Sequence, residues 1–591
     1  MIDFRSRIDL PSHCSYSCAS ELVSPQSMRT IPAREFPQET STRFLRERVP
    51  GILATLPTVI AIMPLHLSCP SDGLIRTAAV ARLAPAAARC SRLLVTSLLT
   101  ALLVTGCTQQ DVQTQETNFN FLTPCERDPE ASRMVSDGLC GTITVFEDRK
   151  LKAGRTIDLN VMVIPALARI PKPDPVFFLA GGPGQSSVHF GPFVFERLRK
   201  VRMDRDLVFV DQRGTGKSNP LDCVPDSDAF ENLDRTIEQI EALEIKEMQA
   251  CLAGYDADPR LYTTSIAMDD LNEVRQTLGY NEINLFGISY GTRAALEYIR
   301  RHEATVRSAI LDGVAPPTMV IPARVAIDAQ AAFEQLLADC KKQDTCRAAF
   351  PDLSQHFDEL IARLGEDLTE VTFTHPRTGE TLPGKINATV ITRHLRGLLY
   401  DRTISRLIPF AIEAAWGGNY EPMMTLAFAF YGEESPMSVG MTASVLCAED
   451  MTRSLSPNDA GLDFDNTLYR TFEKICAFWP RGTVDAGYFD PVTTDLPVLL
   501  TSGKLDPITP PAYAIEAAQT LSRYEHVIVP GVGHSVVGAG CMPDVVLDFL
   551  ETADPANLST ACAVDITRPA FFTSHAGPVM PALADAMEDK P

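Results

Sequence analysis

A chain of 591 residues with 45% hydrophobic content can bury a full α/β domain and a second one beside it. Its net charge of −22 repels nucleic acid and anionic lipid, and no basic stripe offers a phosphate footprint, so nucleic-acid partners are excluded.

Residues 1–106 differ in kind from the rest. Arg82, Arg89 and Arg92 precede an apolar run from Leu93 to Val104 that ends in Leu103-Val-Thr-Gly-Cys107. A basic flank, a short apolar run and small residues before a cut describe an export signal, and about 12 residues are too few to span a bilayer. The closing cysteine makes the segment resemble a bacterial lipoprotein signal, with Cys107 as the lipidated residue and the only route to a membrane. A signal ending beyond residue 100 implies a translation start at Met63 or later, so residues 1–62 are expected not to be made. Residues 107–139 read as a linker.

The chain has 15 cysteines. Setting aside Cys14, Cys18, Cys69, Cys90 and Cys107 leaves an even set that suits an exported, disulfide-bonded protein. Local pairing would join Cys125 with Cys140, Cys223 with Cys251, Cys340 with Cys346, Cys447 with Cys476, and Cys541 with Cys562. None has metal-finger spacing, so no metal is expected.

Alternation from Cys140 to Phe146, a turn at Lys150 to Gly154 and a second strand from Thr156 to Pro165 predict a lead-in hairpin. The apolar strand Pro175 to Ala180 is of the kind buried on both faces. It runs into Gly181-Gly-Pro-Gly184, which has neither a dinucleotide fingerprint nor a P-loop lysine. In a hydrolase such a loop supplies an oxyanion-hole N–H; Pro183 has none, and Gly182 is the choice. The strand Leu207 to Val210 leads to Asp211-Gln-Arg-Gly-Thr-Gly-Lys-Ser218, read as a tight turn with a salt bridge. Helices are expected from Thr236 to Ala253 and from Ala267 to Leu278.

Glu282 to Phe286 reads as a buried strand, followed by Gly287-Ile-Ser-Tyr-Gly291 and a helix from Arg293. This is the G-x-S-x-G nucleophile elbow, where a sharp strand-to-helix turn exposes the Ser289 hydroxyl and glycine is needed on either side. Tyr290, the next residue, would supply the other oxyanion N–H. One more strand, Ser308 to Leu311, closes a first core segment of residues 140–315. Residues 316–486 lose the alternation of strand and helix and read as a mostly helical cap with a small hairpin around Val371 to Leu382. Core rhythm returns over 487–565. A strand at Pro497 to Ser502 ends in Gly503-Lys-Leu-Asp-Pro507, and a strand at His526 to Val529, after a helix from Ala512 to Leu521, ends in Gly533-His534. Residues 566–591 form a tail.

Serine, aspartate and histidine thus fall in the order this architecture uses: Ser289 as nucleophile, His534 as base and Asp506 as its orienting acid. Asp312 also ends a strand and is a rival acid, less favoured than Asp506 in its Gly-x-x-Asp-Pro turn. His526 and His189 are rival histidines, better read as structural or surface residues.

Phe178-Leu-Ala-Gly-Gly-Pro-Gly184, Asp211 to Ser218, Gly287 to Gly291, Gly503 to Pro507 and Gly533-His534 together resemble the proline iminopeptidase and tripeptidyl aminopeptidase branch of the α/β-hydrolases, over roughly residues 120–565. Many relatives have His where this chain has Ala180. The resemblance implies an α/β-hydrolase core, a mostly parallel sheet with helices on both faces and an inserted helical cap. It also implies cofactor-free removal of short N-terminal units from peptides. Peptides with a free N-terminus are then the expected partners, and an exopeptidase needs a carboxylate to hold that amine. Glu449 or Asp450, in Ser444-Val-Leu-Cys-Ala-Glu-Asp450, is the candidate. An esterase or amidase on the same machinery, or a non-catalytic surface lipoprotein that retains the fold, are the alternatives.

Overall fold

The structure, a computed structural model, describes residues 117–578 apart from 127–132, 224–235, 376–377, 432–436, 454, 456 and 458–460. The chain divides into Met1–Thr108 and Gln109–Pro591, and the described residues all belong to the second unit. The leader and Cys107 lie outside the described residues.

The described residues form eleven strands, numbered in chain order: β1 Thr123–Pro124, β2 Leu139–Phe146, β3 Thr156–Ile164, β4 Val176–Leu179, β5 Leu207–Val210, β6 Ile283–Ile288, β7 Val306–Asp312, β8 Thr369–Thr374, β9 Thr381–Ile386, β10 Thr494–Gly503 and β11 Leu521–Val529. Nine of them make one sheet in the order β1-β2-β3-β5-β4-β6-β7-β10-β11. The β2–β3 lead-in hairpin is antiparallel and meets β5 antiparallel. From β5 through β4, β6, β7 and β10 to β11 every pairing is parallel.

The parallel strands are apolar runs because both faces are covered: every residue of β4, β5 and β6 is buried. Alternate side chains serve opposite faces. Phe177 and Leu179 join one core with Leu285 and the helices Thr264–Leu278 and Tyr290–His302. Val176 and Phe178 join the other with Phe195, Phe209, Phe286 and Phe549. The carboxyl ends of β4, β6, β7, β10 and β11 converge at one edge, where ligands sit in such sheets.

Between Asp312 and Thr494 the chain leaves the sheet for a mostly helical insertion, including helices Ile321–Lys342, Leu353–Leu364, Ala388–Leu398 and Ile408–Trp416 and the β8–β9 hairpin. It has its own apolar core around Phe333, Phe357, Leu395 and Ile412. Phe571 belongs to that core and has no exposed surface. The described part of the expected tail therefore packs back on the insertion, with Phe572 N–H donating to the Arg406 carbonyl at 3.1 Å. Among the described residues five disulfides join Cys125–Cys140, Cys223–Cys251, Cys340–Cys346, Cys447–Cys476 and Cys541–Cys562. Among the described residues no helix is long and apolar enough to cross a membrane.

Candidate active site

Ser289 sits between the end of β6 and the helix Tyr290–His302 at φ 58°, ψ −127°, a conformation that costs a side-chain-bearing residue energy. The flanking glycines make the turn possible. A Cβ on Gly291 would lie 2.1 Å from the Leu179 carbonyl oxygen, and one on Gly287 would lie 2.4 Å from that of Gly291. Hydrogen bonds then hold the turn. Ser289 N–H donates to the Asp312 carbonyl at 2.9 Å, and Thr292 Oγ1 donates to the Ser289 carbonyl at 2.6 Å. Tyr290 is the first residue of its helix, so its N–H has no carbonyl one turn back to bond.

The acid and base come from the loops after β10 and β11. Those loops meet closely, since a Cβ on Gly503 would fall 1.9 Å from the Gly533 carbonyl oxygen. Asp506 Oδ2 lies 2.9 Å from His534 Nδ1. The acid is fixed in turn by its own segment: Ile508 N–H, Thr509 N–H and Thr509 Oγ1 donate to it at 2.9, 2.8 and 2.8 Å. Burial alone would raise the Asp506 pKa, yet the His534 imidazole and these donors outweigh it and hold the carboxyl below its ordinary range. For His534 burial works against the cation, but Asp506 outweighs it and, with a further contribution from Asp312, raises the pKa above its ordinary value. The imidazole is thereby a better base. Ser289 and His534 flank the end of β7: the Asp312 carbonyl takes the serine N–H, and a Cβ on Gly313 would lie 3.3 Å from His534 Cε1.

The Gly181–Gly184 loop lies against the serine, where a Cβ on Gly181 would be 3.1 Å from Ser289 Cβ. Gly182 and Gly184 have φ of 105° and 110°, which glycine adopts without strain. The insertion grips this loop: Ser438 N–H donates to the Gly184 carbonyl at 2.9 Å and Thr442 Oγ1 to that of Pro183 at 2.5 Å. From the other side Asp211 accepts from Ser186 Oγ at 2.6 Å and Val188 N–H at 3.0 Å, at the start of the helix Ser187–Arg197. The salt bridge expected within the Asp211–Ser218 turn does not form. Arg213 turns away to Asp270, at 2.6 and 2.9 Å.

Glu449 and Asp450 are not open to a substrate amine. Helix Val439–Val445 widens into a turn at Leu446–Asp450, closed by Met451 N–H on the Leu446 carbonyl at 2.8 Å, that turns both carboxylates into the interior. Glu449 is 1% exposed and accepts from Thr264 N–H at 2.7 Å, Thr264 Oγ1 at 2.8 Å and the Tyr488 hydroxyl. Asp450 is held by Arg293 Nη1 at 3.0 Å and Ile321 N–H at 2.8 Å. An incoming ammonium would have to displace those donors from fully buried groups, so their role is internal. His526 bonds Ser502 Oγ at 3.0 Å, and His189 is exposed beside Phe193. Asp312 is not the acid: its carboxylate bonds the segment after His534 rather than the imidazole.

Two residues at the site went unpredicted. Thr509 bonds Asp506 and also lies 3.2 Å from His534 Nδ1. The signal was present, because an aspartate three residues before a threonine is a pattern in which the carboxylate collects the next free donors. Tyr400, from the insertion, accepts the His534 N–H on its carbonyl at 3.0 Å and had no such signal.

Comparison with known proteins agrees with this architecture. Residues 174–348 match the alpha/beta hydrolase fold family, and residues 460–562 match the TAP-like protein family. The serine protease Hip1 of Mycobacterium tuberculosis is 24% identical over 468 residues, 72% of this chain and 88% of that one. A tripeptidyl aminopeptidase of Streptomyces lividans is 27% identical over 191 residues, 30% of this chain and 36% of that one. A proline iminopeptidase of Neisseria gonorrhoeae is 27% identical over 145 residues, 24% of this chain and 32% of that one. The chain has the α/β-hydrolase fold, with a segment over residues 460–562 that matches the TAP-like protein family, and it is similar to serine peptidases.

Proposed function

We propose that this protein is an exported serine aminopeptidase that releases aminoacyl, prolyl or tripeptidyl units from peptides with a free N-terminus. Ser289 Oγ attacks the scissile carbonyl, His534 takes its proton and returns it to the leaving amine, and water then resolves the acyl-enzyme. Asp506 holds the imidazole tautomer and stabilises its cation. Gly182 and Tyr290 N–H groups receive the tetrahedral oxyanion, each contributing about 3 kcal/mol to the transition state. No cofactor enters this chemistry.

One observation carries the reading: the Asp506–His534 pair, 2.9 Å apart with the acid unexposed, and a serine held in a strained elbow both pack on the end of β7 at Asp312-Gly313. The relatives' names favour peptides over esters. Five disulfides favour an oxidising compartment, and lipidation of Cys107 would tether the enzyme at a membrane there.

A panel of aminoacyl, prolyl and tripeptidyl chromogenic amides, run beside simple esters and N-blocked amides, tests the proposal. Wild type should cleave free-amine amides and Ser289→Ala should not. Hydrolysis of esters alone would move the protein to the esterase reading, and inert wild type would defeat catalysis altogether.

A further inference from the structure

Asp312 stands outside the proposed nucleophile, base and acid, yet it touches both ends of that set. It closes β7 with no exposed surface. Its main-chain carbonyl accepts the Ser289 N–H at 2.9 Å. Its carboxylate accepts from the residues that follow His534: Ser535 Oγ at 2.7 Å, Val536 N–H at 3.0 Å to each oxygen, and Val537 N–H at 3.3 Å. Thr501 Oγ1, on β10, donates to it at 2.8 Å. Ser535 is held at φ 67°, a strained conformation for serine, so the loop needs an outside hold to stay there.

These contacts all bring hydrogen to the carboxylate. Two of the donors are backbone N–H groups, which cannot reverse roles, and both carboxylate oxygens are engaged. Burial pushes the Asp312 pKa above its ordinary value, although these donors oppose it. The donor set suits the ionised form, which accepts from all four donors at once.

We propose that Asp312 is a positioning residue for the hydrolytic reaction: its carboxylate anchors the loop that carries His534, and its buried charge favours the imidazolium that forms during catalysis. This rests on the reading of Ser289 and His534 as nucleophile and base. The groups facing His534 are Asp506 and Thr509 from the β10 loop, the Tyr400 ring from the insertion, and Asp312 from β7. Asp506 acts on Nδ1 directly, whereas Asp312 acts through residues 535–537 and through its field. A purely structural latch would change stability and leave the pH dependence where it was.

The test compares wild type, Asp312→Asn and Ser535→Ala, reading kcat and KM against pH on one chromogenic amide. In parallel, NMR follows the titration of His534 in protein labelled at histidine. Asp312→Asn should lose at least about tenfold in kcat with KM within about twofold. Its acidic limb and the His534 titration should both move to lower pH. Ser535→Ala keeps the charge, so it should lose several-fold in kcat while the acidic limb stays in place. A folded Asp312→Asn with wild-type kcat, or with both titrations unmoved, overturns the proposal. If Asp312→Asn does not fold, Ser535→Ala decides: reduced kcat at unchanged KM supports the anchor, and wild-type kcat overturns it. In a protein without Ser289-dependent hydrolysis the proposed function fails and the positioning role with it, whereas a displaced His534 titration there still shows the charge coupling between Asp312 and His534.

Discussion

Tyr400 of the insertion holds His534 of the core. Its carbonyl accepts the His534 N–H at 3.0 Å, and its ring stands edge-on to the imidazole with centroids 5.2 Å apart. A Cβ on Gly533 would lie 2.4 Å from the same carbonyl oxygen, so the approach depends on glycine. The insertion therefore helps to place the base as well as to cover the sheet edge. Tyr400→Ala keeps the carbonyl and removes the ring contact. Such contacts are worth about 0.5–1.5 kcal/mol, so kcat should fall by roughly two- to tenfold. Steady-state kinetics on a chromogenic amide would read this, and an unchanged kcat would mean that the ring does no more than fill space.

The Asp506 turn separates two contributions. Asp506→Asn should lower kcat by about 10⁴, because the amide no longer fixes the imidazole tautomer. Thr509→Val removes one hydroxyl donor to Asp506 and leaves the pair itself intact. A hydrogen bond to a charged group contributes about 1.5–3 kcal/mol, so a loss of roughly ten- to a hundredfold is expected. The raised His534 pKa places the acidic limb of kcat/KM above 6.5, the ordinary value for histidine. A limb at or below that value would show that Asp506 does not outweigh burial.

The elbow glycines make a stability prediction. Gly291→Ala would set a methyl 2.1 Å from the Leu179 carbonyl oxygen, which is main chain in the central sheet and cannot move aside cheaply. Overpacking of this kind costs typically about 1–3 kcal/mol and occasionally more. Denaturant unfolding should show that loss together with loss of activity. Gly254→Ala, where nothing lies within 4 Å of the added methyl, should show neither.

Glu449 gives a pH prediction of definite sign. Burial raises its pKa from 4.5 to about 7, against the pull of Tyr488, Thr264 and Arg293. The folded state then keeps a proton that the unfolded chain has lost. This group's stabilisation is fully present below pH 4.5 and is lost as the pH rises through about 7. Glu449→Gln removes that dependence. Between these two pH values, stability measured by denaturant unfolding should decline more in wild type than in the variant, and parallel curves would contradict the assignment.

What the sequence made legible follows from where the information lies. The parallel strands announced themselves because burial on both faces demands unbroken apolar runs, and the elbow because close backbone approach demands glycine. The helix Ser187–Arg197 was missed: Gly191 and Pro192 interrupt its pattern, and its start is set by the Ser186 cap and by Asp211 from the loop after β5. β11 begins at Leu521, the last residue of the expected helix and well before the strand expected from His526, because pairing with Thr494 on β10 outcompetes local propensity. Glu449 and Asp450 read as candidates to hold a substrate amine. Their burial depends on Thr264, Arg293 and Tyr488, all distant in the chain, and no local pattern reports that.

The central claim is that Ser289 is a nucleophile activated by His534. A fluorophosphonate probe, followed by mass spectrometry of the labelled peptide, tests it most directly. The account predicts one adduct, on Ser289, formed rapidly in wild type and reduced by orders of magnitude in His534→Ala. An adduct on another residue, or labelling of Ser289 that does not depend on His534, would contradict it.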